Sequence, residues 1–233
     1  MYGEGEGVAK DSAEAVKWLR LAAGQGDATA QYDLGLSYWR GEGAPKNSAE
    51  AMKWFRLAAD QGYAAAEYNV GALYETGDGV PKDTAEALKW FRVAANKRFA
   101  EAQYNLGFMY ATGEGVAKDV AAALDWYRKA ADQGSAKAQL NLGIMYENGD
   151  GVPKDYAEAL KWYRKAADQG SAEAQSDLGA MYADGEGVST DYGEAAKWFL
   201  LAAEQGLAEG QVNLGISYGK GRGVPQDFLL AYM

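Results

Sequence analysis

The side chains that most often carry covalent chemistry are missing from this chain, which holds neither histidine nor cysteine. Thiol nucleophiles, disulfides, histidine general bases and zinc sites built on those ligands are therefore excluded. One short pattern suits a nucleophile. Ser217 and Lys220 fit S-x-x-K, a spacing that sets a lysine amine one helical turn from a serine hydroxyl. No K-T-G accompanies it, and Leu73, Met109, Met145 and Met181 fill the corresponding place in four other units, so coincidence is the reading adopted. The turns "GEG" and "GDG" place an acid between two glycines, with no strand before them. An acid there repels phosphate, and the spacing is not that of a calcium loop, so they read as inter-helix turns. No catalytic residue, metal site or cofactor is assigned.

What remains is the chemistry of contact. Tyr32, Trp39, Tyr68, Tyr104 and Phe108 gather large rings in the first half of the chain, with Arg40 beside Trp39. Trp, Tyr and Arg are the usual anchors of binding energy. The tyrosines either anchor a partner or pack between adjacent helices; Trp39 and Arg40 are assigned to contact. A ladder of short polar side chains (Asp33, Asn69, Asn105, Asn141, Asp177 and Asn213) recurs at a step of 36 residues. Amides so spaced can hold the backbone of an extended peptide, or can satisfy a neighbouring turn or helix end. Arg20, Arg56, Arg92, Arg128 and Arg164 form a third row, broken by Leu200. They are read as solvated, or paired with the acids at 60, 132 and 168, rather than as an anion track.

The elements that position these rows follow from the same step. Trp18, Trp54, Trp90, Trp126, Trp162 and Trp198 are each 36 residues apart, and Trp39 alone of the seven tryptophans lies off that lattice. Tyr38, Tyr74, Tyr110, Tyr146, Tyr182 and Tyr218 share it. Each unit reads as two helices with no strand pattern. The helix carrying the lattice tryptophan (helix B) begins after an N-cap such as Asp155, with Glu158 placed to close a capping box and to pair with Lys161. It closes at "ADQG", where Gly170 suits the left-handed position. The other (helix A), for example Ala100–Thr112, ends at a glycine turn. Stacking at fixed pitch is expected to bury the tryptophan against neighbouring units, with Gly143 allowing close approach. The units are 27–62, 63–98, 99–134, 135–170 and 171–206, flanked by partial ones at 1–26 and 207–233. Tyr2, Gly5 and Gly7 match the tail of a unit, and "DFLLAYM" the head of helix B, as expected of a segment of a longer array or a trimmed chain.

The run "AEAQSDLGAMYADGEGVSTDYGEAAKWFLLAAEQG", residues 172–206, resembles a Sel1-like repeat, a relative of the tetratricopeptide repeat. The resemblance covers essentially the whole chain. It implies an all-α, right-handed α/α superhelical solenoid, with helix A lining the concave surface, that acts as an adaptor or scaffold for other proteins. It also implies bacterial relatives that work in the periplasm or outside the cell, and a link of some relatives to β-lactam binding. "NKRF" at 96–99 departs from the pattern, because Arg98 replaces the turn glycine.

The formal net charge of −10 argues against nucleic acid and anionic membranes as partners, and no apolar run is long enough to span a bilayer. On helix A the positions of Ala30, Leu34, Gly35 and Tyr38 barely change between units and form the packing stripe, while those of 29, 32, 36, 39 and 40 vary and form a second one. The expected function is a noncatalytic scaffold binding a protein or peptide on that second stripe. Its candidate residues are Tyr32, Leu36, Trp39, Arg40, Tyr68, Asn69, Glu75, Tyr104, Asn105, Phe108, Leu140, Asn141 and Ile144. The alternatives are a spacer that self-associates through apolar ends such as "DFLLAYM", and an enzyme of the β-lactam-binding kind acting through Ser217.

Overall fold

Asp11, Asn47, Asp83, Asp155 and Asp191 each accept a backbone N–H at the first turn of a helix, the local signal from which the architecture is built. A computed structural model describes residues 11–227, 229 and 231, and the regular structure among them is helical. Twelve helices of 13 residues each occur there, in two compact units, residues 1–119 and 120–233. The first unit holds α1 (Ser12–Gly24), α2 (Ala28–Arg40), α3 (Ser48–Asp60), α4 (Ala64–Thr76), α5 (Thr84–Asn96) and α6 (Ala100–Thr112). The second holds α7 (Val120–Asp132), α8 (Ala136–Asn148), α9 (Tyr156–Asp168), α10 (Ala172–Asp184), α11 (Tyr192–Glu204) and α12 (Ala208–Lys220). Odd-numbered helices are of the B kind and even-numbered ones of the A kind. Within each unit every helix packs on the next, as expected of an all-α repeat solenoid of paired helices.

The capping box forms by half. The N-cap side chains bond as expected, but the glutamate three residues on turns outward to the next lysine, as in Glu158 with Lys161 at 2.5 Å. The N-cap N–H is taken elsewhere: Asp155 donates to the carbonyl of Tyr146 at 2.8 Å, and Asn47, Asp83 and Asp191 do the same to Tyr38, Tyr74 and Tyr182. The carbonyl of the lattice tyrosine thus ties these four A helices to the start of the B helix that follows. Between them, the second glycine of the turn lies against the preceding B helix. A Cβ at Gly43 would stand 2.0 Å from the Ser12 carbonyl oxygen, and its φ of 73° disfavours any side chain besides.

The lattice tryptophan is not the core residue. The fully buried ring is the residue after it: Phe55, Phe91, Tyr127 and Tyr163, with Phe199 nearly so. Helix-A glycines make room for these rings. A Cβ at Gly35, Gly71, Gly143 or Gly179 would fall 2.6, 2.8, 2.4 or 2.6 Å from the ring of Phe55, Phe91, Tyr163 or Phe199. Trp54, Trp90, Trp126, Trp162 and Trp198 are half-buried, and Trp18 is 57% exposed. The indoles form part of a surface seam with the arginine row. Arg20, Arg56, Arg92, Arg128 and Arg164 donate to the hydroxyls of Tyr38, Tyr74, Tyr110, Tyr146 and Tyr182. Arg56 and Arg164 also lie over the rings of Trp90 and Trp198, each 5.5 Å from the centroid. The expected partners at 60, 132 and 168 are not the ones used, because the tyrosine hydroxyl 18 residues on presents an acceptor across the helix interface.

Buried glutamines make a second seam. Gln31 donates its amide to the Ala23 carbonyl at 3.2 Å and accepts from Gln61 at 2.8 Å, linking α1, α2 and the end of α3. Gln139 with Gln169 and Gln175 with Gln205 repeat this in the second unit. In the first unit one rung differs: Glu67, 3% exposed, and Lys97 form an ion pair at 2.5 Å. Lys97 also donates to the Gly62 carbonyl at 2.8 Å. The "NKRF" departure therefore keeps the turn and changes the rung. Arg98 takes a φ of 66°, the one positive value among described non-glycine residues, at a cost of about 1 kcal/mol.

Candidate partner-binding face

In the first unit the varying stripe of α2, α4 and α6 is aromatic. Tyr32 lies 5.8 Å from the Phe55 ring and 4.9 Å from that of Tyr63, and Tyr68 lies 5.6 and 5.3 Å from Phe91 and Phe99. Burial pushes both hydroxyls up from their ordinary value. The Asn69 side chain offsets this for Tyr32, and for Tyr68 the charges of Glu101 and Glu75 add to it while Asn105 offsets. Two ladder amides therefore meet tyrosine hydroxyls of the preceding A helix. Tyr32 and Tyr68 are half-buried between helices, as is Leu36, which packs on the core of α3 and α4.

Trp39 and Phe108 stand out from that layer, 37% and 41% exposed. The Trp39 indole N–H donates to Asp78 Oδ2 at 3.3 Å, across to the turn after α4. Beneath it lies a pocket of about 160 Å³ lined by Trp39, Phe55, Asn69, Ala72, Leu73, Thr76 and Asp78. Arg40 is exposed, and Tyr104 and Asn105 are half-buried. Glu75 is half-buried, and burial, with the charge of Glu114, raises its carboxyl above the usual range while Lys82 opposes the shift. Asp33 is raised in the same direction by burial and then by Asp27.

The second unit lacks those rings, with Leu140, Ser176 and Val212 in place of the tyrosines, and carboxylates gather there at Glu147, Glu173, Glu209 and Asp177. The Tyr163 hydroxyl donates to Glu147, and burial first, then that bond, raise it above the ordinary phenol value. Asp177 is pushed up to about 7, by burial first and then by the charges of Glu147, Glu209 and Glu173. Leu140 packs on the core of α9 and α10, Ile144 is exposed, and Asn141 donates to the Lys137 carbonyl one turn back at 2.9 Å. A second pocket of about 160 Å³ involves Phe199, Asn213, Ile216 and Ser217.

The Ser217 hydroxyl is buried and donates to the Asn213 carbonyl at 2.9 Å, as Ser37 does to Asp33 at 3.0 Å, while Lys220 is exposed. Both serines fit as helix-bound hydroxyls. Among the described residues, no group of three or more Asp or Glu is arranged to hold a metal, and no helix is long and apolar enough to cross a membrane. Of "DFLLAYM", residues 228, 230, 232 and 233 lie outside the described residues, as do Tyr2, Gly5 and Gly7. Sequence reasoning missed Asp78, Tyr163 and the Glu67–Lys97 rung. The rung had a readable signal: positions 31/61, 139/169 and 175/205 are Gln/Gln, and 67/97 changes both partners together.

Paired helices of 13 residues, glycine turns and rings under helix-A glycines define a tetratricopeptide-related α/α repeat protein. The Sel1 repeat family model matches residues 1–27, 28–63, 64–98, 100–135, 136–171, 172–207 and 208–233, and the chain belongs to that family. A protective antigen of uropathogenic Escherichia coli with this repeat fold is 42% identical, with a TM-score of 0.89, over 93% of this chain and 46% of its own. This chain thus spans about half the length of that antigen. A Sel1 repeat protein from Oxalobacter formigenes is 32% identical, with a TM-score of 0.82, over 95% of this chain and 94% of its own. A Sel1 repeat protein from Klebsiella pneumoniae, at 22% identity and a TM-score of 0.55 over 85% of this chain and 97% of its own, shares the fold. No curated protein sequence matches.

Proposed function

We propose that this chain is a noncatalytic scaffold that holds a protein or peptide segment on the A-helix face of its first unit. Sel1 repeat folds act in general as protein–protein interaction scaffolds, and the reading adds which face is used. The observation that carries it is the exposure of Trp39, at the rim of an open pocket, and of Phe108 on the same stripe of α6. Trp39 lies off the tryptophan lattice, so stacking of repeats does not require a ring there. Large rings left partly solvated at the rim of a pocket are the residues that most often supply binding energy.

Affinity capture from a native extract tests this, with Trp39→Ala/Phe108→Ala as the control bait. Partners captured by the wild type should be lost from the control, whose helical content should match. Removing two anchors of this kind costs about 4 kcal/mol, on the order of a thousandfold in affinity. Equal capture by both baits would place binding elsewhere.

A further inference from the structure

We infer that the pocket beneath Trp39 is built for one basic side chain, a lysine or arginine of the bound segment; this rests on the face proposed above. Size comes first. At about 160 Å³ the pocket is well below the roughly 300–1,000 Å³ of sites for free small molecules, and it suits a single side chain. Its lining is graded. Phe55 and Leu73 are buried and form an apolar inner end, whereas Trp39 and Asp78 lie toward solvent. An aliphatic stem fits the inner wall and a cationic head fits the rim, the division of character that lysine and arginine carry.

The rim favours a cation over a neutral group. One Asp78 oxygen takes the Trp39 indole N–H at 3.3 Å, which fixes the carboxylate beside the ring and leaves the other oxygen to accept. A cation there gains a charge-assisted contact with the carboxylate at the pocket mouth. The neighbouring charge has the same sign: Glu75, three residues before Asp78, faces the charge of Glu114 on the turn after α6. Two bases lie nearby: Lys82 pairs with Glu114 at 3.8 Å, and Arg40, next to Trp39 in the chain, is exposed and turned to solvent rather than among the pocket-lining residues. The corresponding pocket of the second unit carries Arg222 where the first has Asp78, which sets a cation at that rim from within the chain.

Selection of random linear peptides displayed on phage, with the full chain as target, tests the assignment. Binders lost on Trp39→Ala/Phe108→Ala should share a lysine or arginine at one position. Their affinity should fall about tenfold on Asp78→Asn, and about tenfold when that residue is replaced by norleucine. Circular dichroism of each variant guards against a folding defect. Face-dependent binders with an aliphatic or aromatic residue at that position, indifferent to Asp78→Asn, would overturn the basic-side-chain assignment and leave the face intact. Absence of any binder sensitive to Trp39→Ala/Phe108→Ala would overturn the face, and the assignment with it.

Discussion

The two units are cast from one 36-residue lattice and filled with different side chains. In the first, helices α4 and α6 begin at Tyr63 and Phe99, which cap nothing and instead stack on Tyr68's layer and its equivalent at Tyr32. In the second, α8 and α10 begin at Ser135 and Ser171, whose hydroxyls accept the N–H of Ala138 and Ala174. The first unit has Trp39 and Phe55 lining one pocket; the second has Glu147 bonded to Tyr163 beside Asp177. The first has a Glu67–Lys97 rung where the second has paired glutamines. The backbone tolerates each exchange because the lattice glycines and tyrosines hold the helices independently of these positions. What varies is free to serve contact or tuning.

Breaking the exceptional rung should have the largest effect on stability. Lys97→Met leaves Glu67 as an uncompensated buried charge and should cost about 3 kcal/mol, the low end for a broken buried pair because Lys97 is partly solvated. Glu67→Gln/Lys97→Gln should recover most of that, since the amide pair already serves at 31/61, 139/169 and 175/205. Urea unfolding of the single and double variants measures it. A double variant as unstable as the single would mean that the rung has no amide equivalent in the first unit.

Next in size is the ring under the helix-A glycine. Gly143→Ala drives a methyl to 2.4 Å from the Tyr163 ring, which is tethered through its hydroxyl to Glu147. Gly71→Ala approaches Phe91 at 2.8 Å, and that ring has no hydroxyl to tether. Overpacking costs about 1–3 kcal/mol, and the better helix propensity of alanine returns about 1. Gly143→Ala should therefore lose about 1–2 kcal/mol and Gly71→Ala less, a difference that thermal unfolding resolves.

These contrasts mark what the sequence made legible. Helix positions, caps and turn glycines could be read because each is a local rule repeated every 36 residues; the expected Ala100–Thr112 is the observed α6. The lattice tryptophan was misjudged because invariance was equated with burial, whereas Phe55 and its equivalents, variable between Phe and Tyr, fill the core. The arginines were expected to be solvated or paired, and three of them are exposed, but their partners were missed because pairing was sought along one helix and the hydroxyl that accepts lies across the interface. At the candidate face, Trp39 and Phe108 stood out by type. Asp78 did not, since a turn acid between glycines looks like its neighbours until the indole N–H is seen to reach it.

The acidic side of the comparison is tested by pH. The Asp177 carboxyl, at about 7 in the folded chain against an ordinary 3.8, binds a proton more tightly folded than unfolded. Its contribution is therefore favourable below pH 4 and is lost as pH rises toward 7. Asp177→Asn, the residue found at 69, 105, 141 and 213, should flatten that decline and stabilise the protein at neutral pH, by up to about 1.4 kcal/mol for each pH unit by which the carboxyl is raised. Urea midpoints of both proteins across this range report it, and parallel curves would show that Asp177 ionises freely.

The smallest effect concerns how the A helices start. Ser171→Ala removes a hydroxyl that accepts the Ala174 N–H at 3.3 Å and should cost about 1 kcal/mol. Tyr63→Ser makes the opposite exchange, supplying a cap of that size and removing a ring 4.9 Å from Tyr32 that contributes about 0.5–1.5 kcal/mol. The ring also packs on the core of α3 and α4, so the cap offsets only part of the loss and the unfolding midpoint should fall slightly. If the Tyr63–Tyr32 stack holds the aromatic face of the first unit in shape, Tyr63→Ser weakens capture of the partner well beyond that fall. A variant that loses stability without losing the partner would assign Tyr63 to the core alone.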